Sequence, residues 1–160
     1  MRFNLVDRIV EVVPGQRIQA VKNLTLGEEY LADHFPTFPV MPGVLMLETL
    51  VQAGAWLLRV SENFRHSVVV LREAKNVKYG AFMEPGRQLK VSVDLLEHQE
   101  GLASFKGKGE SDGATTVSAR FTLARYNLRD RDDGLAGADD GLVAHWKSLY
   151  ALLRSPASSS

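Results

Sequence analysis

The chain has no cysteine. That excludes a disulfide scaffold, a thiolate zinc site and a cysteine nucleophile, and it suits a reducing compartment. Neither sign of charge dominates, with nineteen Lys and Arg against nineteen Asp and Glu. No bulk positive field therefore draws the chain onto nucleic acid or an anionic membrane. Long apolar runs are also scarce. The longest, Gly43 to Leu58, is interrupted by Glu48, Thr49 and Gln52 and covers sixteen residues, fewer than the roughly 20 of a membrane helix. The start, Met1 to Arg8, never reaches the apolar run of a signal peptide. These absences point to a soluble, cytoplasmic protein without membrane insertion. What is present is ordinary globular material. At 160 residues, 45% apolar and 24% charged, it makes one domain with a proper core.

Arg8 to Val13 is β-branched, Pro14-Gly15 signals a turn, and Gln16 to Leu24 resumes as strand. Residues 25–33 are a polar connection. Prolines 36, 39 and 42 then forbid both a helix and a central strand, so the chain approaches residue 43 stiff and extended. Pro42 suits the first helical position. The helix that follows is apolar on nearly every face, which marks a buried helix. Val68 to Leu71 is an apolar run. Arg87 to Glu97 alternates, with Leu89, Val91, Val93 and Leu95 on one face. Leu102 to Glu110 and Thr115 to Leu123 flank Asp112-Gly113, a strong hairpin signal. The pattern predicts an α+β fold, a meander of long antiparallel strands wrapped around one central helix. This domain spans residues 1–128. Residues 129–141, rich in Asp and Gly, read as a linker. Leu142, Trp146, Leu149, Tyr150 and Leu153 form one helical stripe over 142–154, which should dock on the core or on a neighbouring subunit. Residues 155–160 read as a disordered tail.

Three features carry chemistry. Glu48 and Gln52 lie four apart on one face of the buried helix. A buried carboxylate is costly unless paired, so this is either a satisfied structural pair or an acid–base group. His34 heads the proline-braced loop, as a structural histidine or as an imidazole base. Gly43 opens the helix, where the first N–H groups lack partners and can hold an oxyanion; alternatively it packs close to a neighbour. His66, His98 and His145 have no such context and show no metal-ligand spacing. Together, an imidazole, a carboxylate and an oxyanion donor can remove a proton beside a carbonyl and protonate a leaving group.

The run His34-Phe-Pro, then Pro39-Val-Met-Pro-Gly-Val-Leu-Met-Leu-Glu48, then Gln52-Ala-Gly, resembles the signature of the (3R)-hydroxyacyl-(acyl-carrier-protein) dehydratases of fatty-acid synthesis. Leu5-Val-Asp-Arg-Ile, Pro85-Gly86-Arg-Gln-Leu89 and Phe105-Lys-Gly-Lys extend the likeness over residues 3–126. The resemblance implies a hot-dog fold and a homodimer with shared active sites, often assembled in that family as a trimer of dimers. It implies no cofactor on the protein itself, the acyl chain riding on the phosphopantetheine of an acyl carrier protein. In catalytic roles, His34 takes the C2 proton and Glu48 protonates the departing hydroxyl. In substrate-binding roles, the Gly43 N–H polarises the thioester oxygen and Gln52 orients Glu48. The family's isomerase branch has Asp where this chain has Glu48, which favours plain dehydration. Two positions depart from the pattern. Asp33 and Thr37 stand where family members often have Gly, and a positive φ at Thr37 would be strained. Two other readings remain open: a hot-dog acyl thioesterase, and a non-catalytic acyl-binding hot-dog subunit. Carrier docking is expected on the basic segment 59–90, where Arg59, Arg65, Arg72, Lys75, Lys78, Arg87 and Lys90 outnumber Glu62, Glu73 and Glu84.

Overall fold

The computed structural model describes residues 3–154. Six strands build one antiparallel sheet: β1 (Arg8–Val13), β2 (Arg17–Asn23), β3 (Val68–Tyr79), β4 (Gln88–His98), β5 (Leu102–Ser111) and β6 (Ala114–Tyr126). Their order across the sheet is β1-β2-β4-β5-β6-β3. The central helix, α1 (Gly43–Ser61), packs against β2, β3, β4, β5 and β6. This is the sheet-around-a-helix arrangement that the alternating strands predict. Leu89, Val91, Val93, Val117, Phe121 and Leu123 turn inward and are buried. They meet Leu50, Leu57 and Leu58 of α1. Phe105 and Phe121 stack across β5 and β6 with ring centroids 5.3 Å apart. Asp112 and Gly113 both take positive φ, 49° and 78°, as a two-residue hairpin turn between right-twisted strands requires.

Four boundaries differ from the sequence reading. Pro42 caps α1 instead of opening it; its extended ψ of 136° suits the residue that turns into a helix. At nineteen residues, α1 is long and apolar enough by itself to cross a membrane, but most of it is buried inside the protein's own sheet. Strand β3 runs eight residues past Leu71. Its second half, Arg72 to Tyr79, is charged and largely exposed because it forms the free edge of the sheet, where alternation is not enforced. Finally, residues 129–141 are not a linker throughout. Two 3-10 turns, Leu128–Asp130 and Asp133–Leu135, lead into α2 (Ala136–Leu153), which starts six residues earlier than the apolar stripe shows.

That early start has a local cause. Asp139 is fully buried and accepts from the backbone N–H groups of Leu128 (2.8 Å) and Arg129 (3.0 Å), from Arg129 Nε (2.9 Å) and from the Ser67 hydroxyl. Burial pushes its carboxyl up, but these donors hold it well below the usual carboxylate range. Further along α2, Trp146 Nε1 donates to the Ser67 carbonyl at 3.1 Å. Trp146, Leu149 and Tyr150 pack on the core and Leu153 joins it. The stripe therefore docks on its own chain. The expected tail, residues 155–160, lies outside the described residues.

Candidate active site

His34 follows a 3-10 turn, Glu29–Ala32. The loop after it closes on itself, with Phe35 and Phe38 exchanging two backbone hydrogen bonds of 3.1 and 3.0 Å. The Val40 N–H then donates to the His34 carbonyl at 3.0 Å. The imidazole is held from the same residue, its Nδ1 3.0 Å from the Val40 carbonyl oxygen. A carbonyl can only accept, so Nδ1 carries the proton and Nε2 presents its lone pair. The ring also stacks on Phe35, with centroids 4.2 Å apart. Thr37 is not among the residues with positive φ, so the departure from Gly at that position carries no left-handed strain.

The carboxylate half is oriented as firmly. Gln52 Nε2 donates to Glu48 Oε1 at 3.1 Å and to the Phe3 carbonyl at 2.9 Å, while Gln52 Oε1 accepts from the Leu5 N–H at 2.8 Å. With its oxygen engaged by an N–H, the amide has only one way round, and its donor side must face Glu48. Glu48 itself is half-buried, not fully enclosed as an all-apolar helix suggested. Its face of α1 looks toward the β3 edge of the sheet. It opens into a cavity of about 300 Å³ bounded by Gln52, Ala55 and Arg59 of α1, by β3 at Val70, and by Trp146 of α2.

Gly43 is the first residue of α1, and no side chain caps that end. The first backbone bonds of the helix are those from Leu45 (3.0 Å) and Met46 (3.2 Å) to the Pro42 carbonyl. The N–H groups of Gly43 and Val44 are thus left as donors. The Tyr79 ring covers the glycine so closely that a Cβ would lie 2.9 Å from it. The need for glycine is therefore met by packing alone, and packing leaves its free N–H available.

Within the chain, Glu48 and Gln52 come together and Gly43 begins the same helix. His34 does not join them: among the described residues no hydrogen bond or shared cavity links it to Glu48. Also among the described residues, no three His, Asp or Glu side chains are placed to hold a metal ion. Two residues of the cavity escaped the sequence reading. Arg59 was readable, since it continues the stripe Glu48, Gln52, Ala55 at helical spacing. Trp146 was not, because only tertiary docking of α2 brings it there. His66 and His98 are structural, both bonding Glu62 at 2.9 Å.

A curled antiparallel sheet around one helix, with a polar stripe of that helix open at the sheet edge, defines a hot-dog fold protein. Solved structures with this architecture include the dehydratase heterocomplex ApeI:P of Xenorhabdus doucetiae, with TM-score 0.66 and 17% identity over 83% of this chain and 90% of that one. Another is smu.793 of Streptococcus mutans bound to acetyl CoA, with TM-score 0.60 and 13% identity over 78% and 92%. The FabA-like domain family model matches residues 1–120. The chain is 39% identical to the 3-hydroxyacyl-(acyl-carrier-protein) dehydratase FabZ of Myxococcus xanthus, over 81% of this chain and 86% of that protein. It is 36% identical to the FabZ of Bacillus subtilis, over 76% and 86%. The chain belongs to the FabZ dehydratase family of FabA-like hot-dog proteins.

Proposed function

We propose that this protein dehydrates (3R)-3-hydroxyacyl thioesters carried on acyl carrier protein to trans-2-enoyl thioesters, in the cytoplasm, within fatty-acid or related acyl-chain synthesis. The observation that carries the reading is the pair of pre-oriented groups on the family motif. One is an imidazole with its Nδ1 tied to a carbonyl and Nε2 free; the other is a carboxyl held by a fixed amide. His34 Nε2 removes the C2 proton, and the electron pair moves toward the thioester carbonyl. The Gly43 N–H stabilises the oxygen that gains charge. The C3–O bond then breaks, the C2–C3 double bond forms, and Glu48 supplies the proton with which the hydroxyl leaves as water. His34 returns its proton to Glu48 through solvent. No electrons leave the substrate, so the elimination asks for no redox cofactor.

The site needs two chains. Strand β3 is a twelve-residue free edge beside the Glu48 cavity, with Val70 and Leu71 about two-fifths exposed. An uncovered apolar edge invites a second strand. Pairing two copies through β3 about a two-fold axis buries it and sets the His34 loop of one subunit over Glu48 of the other, giving two equivalent sites. The exposed rings of Phe35, Phe38 and Phe82 lie around that loop and suit the same interface.

The test offers the protein 3-hydroxyacyl and enoyl thioesters and follows enoyl absorbance and free thiol together. Enoyl absorbance without thiol supports the reading. Thiol release identifies a thioesterase, and silence from both identifies a non-catalytic subunit.

A further inference from the structure

Eleven residues past Glu48, on the same face of α1, the cavity ends on a charge that no described residue neutralises. Arg59 is only 7% exposed, and its Nε is enclosed with no hydrogen-bond partner. The guanidinium lies in the corner of two indoles that meet edge to face, 4.0 Å from the ring centre of Trp146 and 5.2 Å from that of Trp56. Among the described residues no carboxylate pairs with it. The nearest acid in sequence, Glu62, is fully engaged by Arg125, His66 and His98. Burial pushes Arg59 down to about 10, which still leaves it a cation at neutral pH. Taking such a group out of water is costly, and stacking on aromatic faces returns only part of that cost. The imbalance is what an anion-binding position looks like before its anion arrives.

The remaining wall is largely apolar, with Val51, Ala55, Val69 and Leu71 between the two ends. One cavity thus joins Glu48, the proposed proton donor, to Arg59, eleven residues further and about 16 Å along the helix axis at 1.5 Å per residue. A chain with C3 at Glu48 runs down this groove with its far end toward Arg59. A methyl end leaves the cation bare, whereas a carboxylate meets the guanidinium fork in two hydrogen bonds.

We propose that Arg59, seated against Trp56 and Trp146, is the terminal-group site of the acyl groove, and that the groove takes medium-length acyl thioesters ending in a carboxylate. The proposal deepens the dehydratase reading and rests on it for the position of C3. It gives α2 a purpose. Trp146, fixed by its bond to the Ser67 carbonyl, lies beyond the part of the chain that the family model matches, and it supplies the nearer of the two rings against Arg59.

The experiment compares kcat/KM for the pantetheine thioesters of 3-hydroxydodecanoate and of 3-hydroxydodecanedioate, equal in length and different at the end, with 3-hydroxybutyryl pantetheine as a substrate too short to reach Arg59. The carboxylate-ended substrate should be preferred at least tenfold, through KM, and Arg59→Met should bring the ratio to one or below. Arg59→Lys, which keeps charge but not the fork, should retain part of it. Binding is read separately. Trp56 and Trp146 are the only tryptophans and both touch Arg59, so dodecanedioate should change intrinsic fluorescence where dodecanoate does not. Equal turnover of the two long substrates by the wild-type protein overturns the proposal, as does a preference that survives Arg59→Met. Failure of all three substrates, including the short one, overturns the dehydratase reading instead, and the fluorescence comparison still decides the Arg59 site.

Discussion

Helix α1 carries one carboxylate on its face, Glu48, and a second at its C-terminal end, Glu62, and the two are treated oppositely. Glu62 caps the helix and meets three partners: Arg125 Nε, His66 Nδ1 at 2.9 Å and His98 Nε2 at 2.9 Å. Burial raises its carboxyl, but the His66 bond, the Arg125 charge and the His98 bond outweigh that and hold it below its ordinary value. Glu48 has one neutral partner, the Gln52 amide, and a cavity before it. A carboxylate saturated by cations is a fixed anion that ties helix, β4 and β6 together. A carboxyl that is oriented but not neutralised remains able to exchange a proton with a ligand. Identity and helix are shared; the surroundings assign the role.

The largest effect separates the two on activity. Glu48→Gln keeps the hydrogen-bonding shape but removes the transferable proton. It should lower kcat about 10³-fold with thioester substrates, the scale of a lost general acid, while the melting temperature stays within a degree or two. His34→Ala should match it. In the proposed dimer each of the two sites draws on both chains, so mixing the two dead variants should restore activity. In an equal, randomly reassorted mixture half the dimers are mixed and each has one intact site, so roughly a quarter of wild-type activity returns. Zero recovery with mixed dimers confirmed by mass spectrometry would place both residues in one chain's site and remove the shared-site reading.

The converse holds for Glu62. Arg125 is 6% exposed and already has one enclosed nitrogen, Nη1, without a partner. Glu62→Ala strips its counter-ion and leaves a buried charge bare, which should cost about 3 kcal/mol in urea unfolding with kcat changed less than threefold. A large loss of kcat in a folded Glu62→Ala protein would erase the contrast.

How far the sequence alone leads can be judged on these same residues. The strands with one face buried, β2, β4, β5 and β6, were legible because the core enforces alternation. The start of α1 and the motif from His34 to Gln52 were legible because proline and helical spacing are local signals. Three things were not. The second half of β3 lies on an edge where nothing enforces a pattern. The first turn of α2 depends on Asp139 reaching the Leu128 and Arg129 backbone and Ser67, partners that Asp/Gly-rich composition does not reveal. The aromatic seat of Arg59 needs Trp146, eighty-seven positions away in sequence. Local chemistry was readable, and what required docking of distant segments was not.

A smaller effect sharpens the comparison through pH. The folded Glu62 carboxyl lies below its ordinary value of 4.5, so the unfolded chain binds its proton more readily than the folded one. Its stabilisation is complete above about pH 4.5 and is lost as pH falls through the folded value. Asp139, also held low, acts in the same direction. Glu62→Gln should therefore flatten the acid limb of the stability curve without removing it, and Asp139→Asn should flatten it further. A steeper acid limb in Glu62→Gln would reverse the assigned sign.

The smallest expected effect concerns how substrate reaches this site. The seven cations of segment 59–90 are not equivalent in the folded chain. Arg59 is buried, Lys75 pairs with Glu73 at 3.3 Å, and Arg87 meets Glu84 and Asp112. Lys78 is exposed, has no ion pair among the described residues, and precedes Tyr79, whose ring lies on Gly43 at the helix start. Its neighbour in sequence, Tyr79, is thus the residue that touches the proposed oxyanion donor. An acidic carrier approaching that end of α1 gains long-range attraction, which acts on encounter more than on the bound state. Lys78→Glu should lower kcat/KM for carrier-bound substrate about threefold near 0.1 M salt and far less at 1 M, where screening shortens the range to about 3 Å. Pantetheine thioesters carry no acidic protein and should show no such salt-dependent loss. A threefold loss on both substrates, or one that persists at high salt, would mean that Lys78 supports the site itself and that the carrier docks elsewhere.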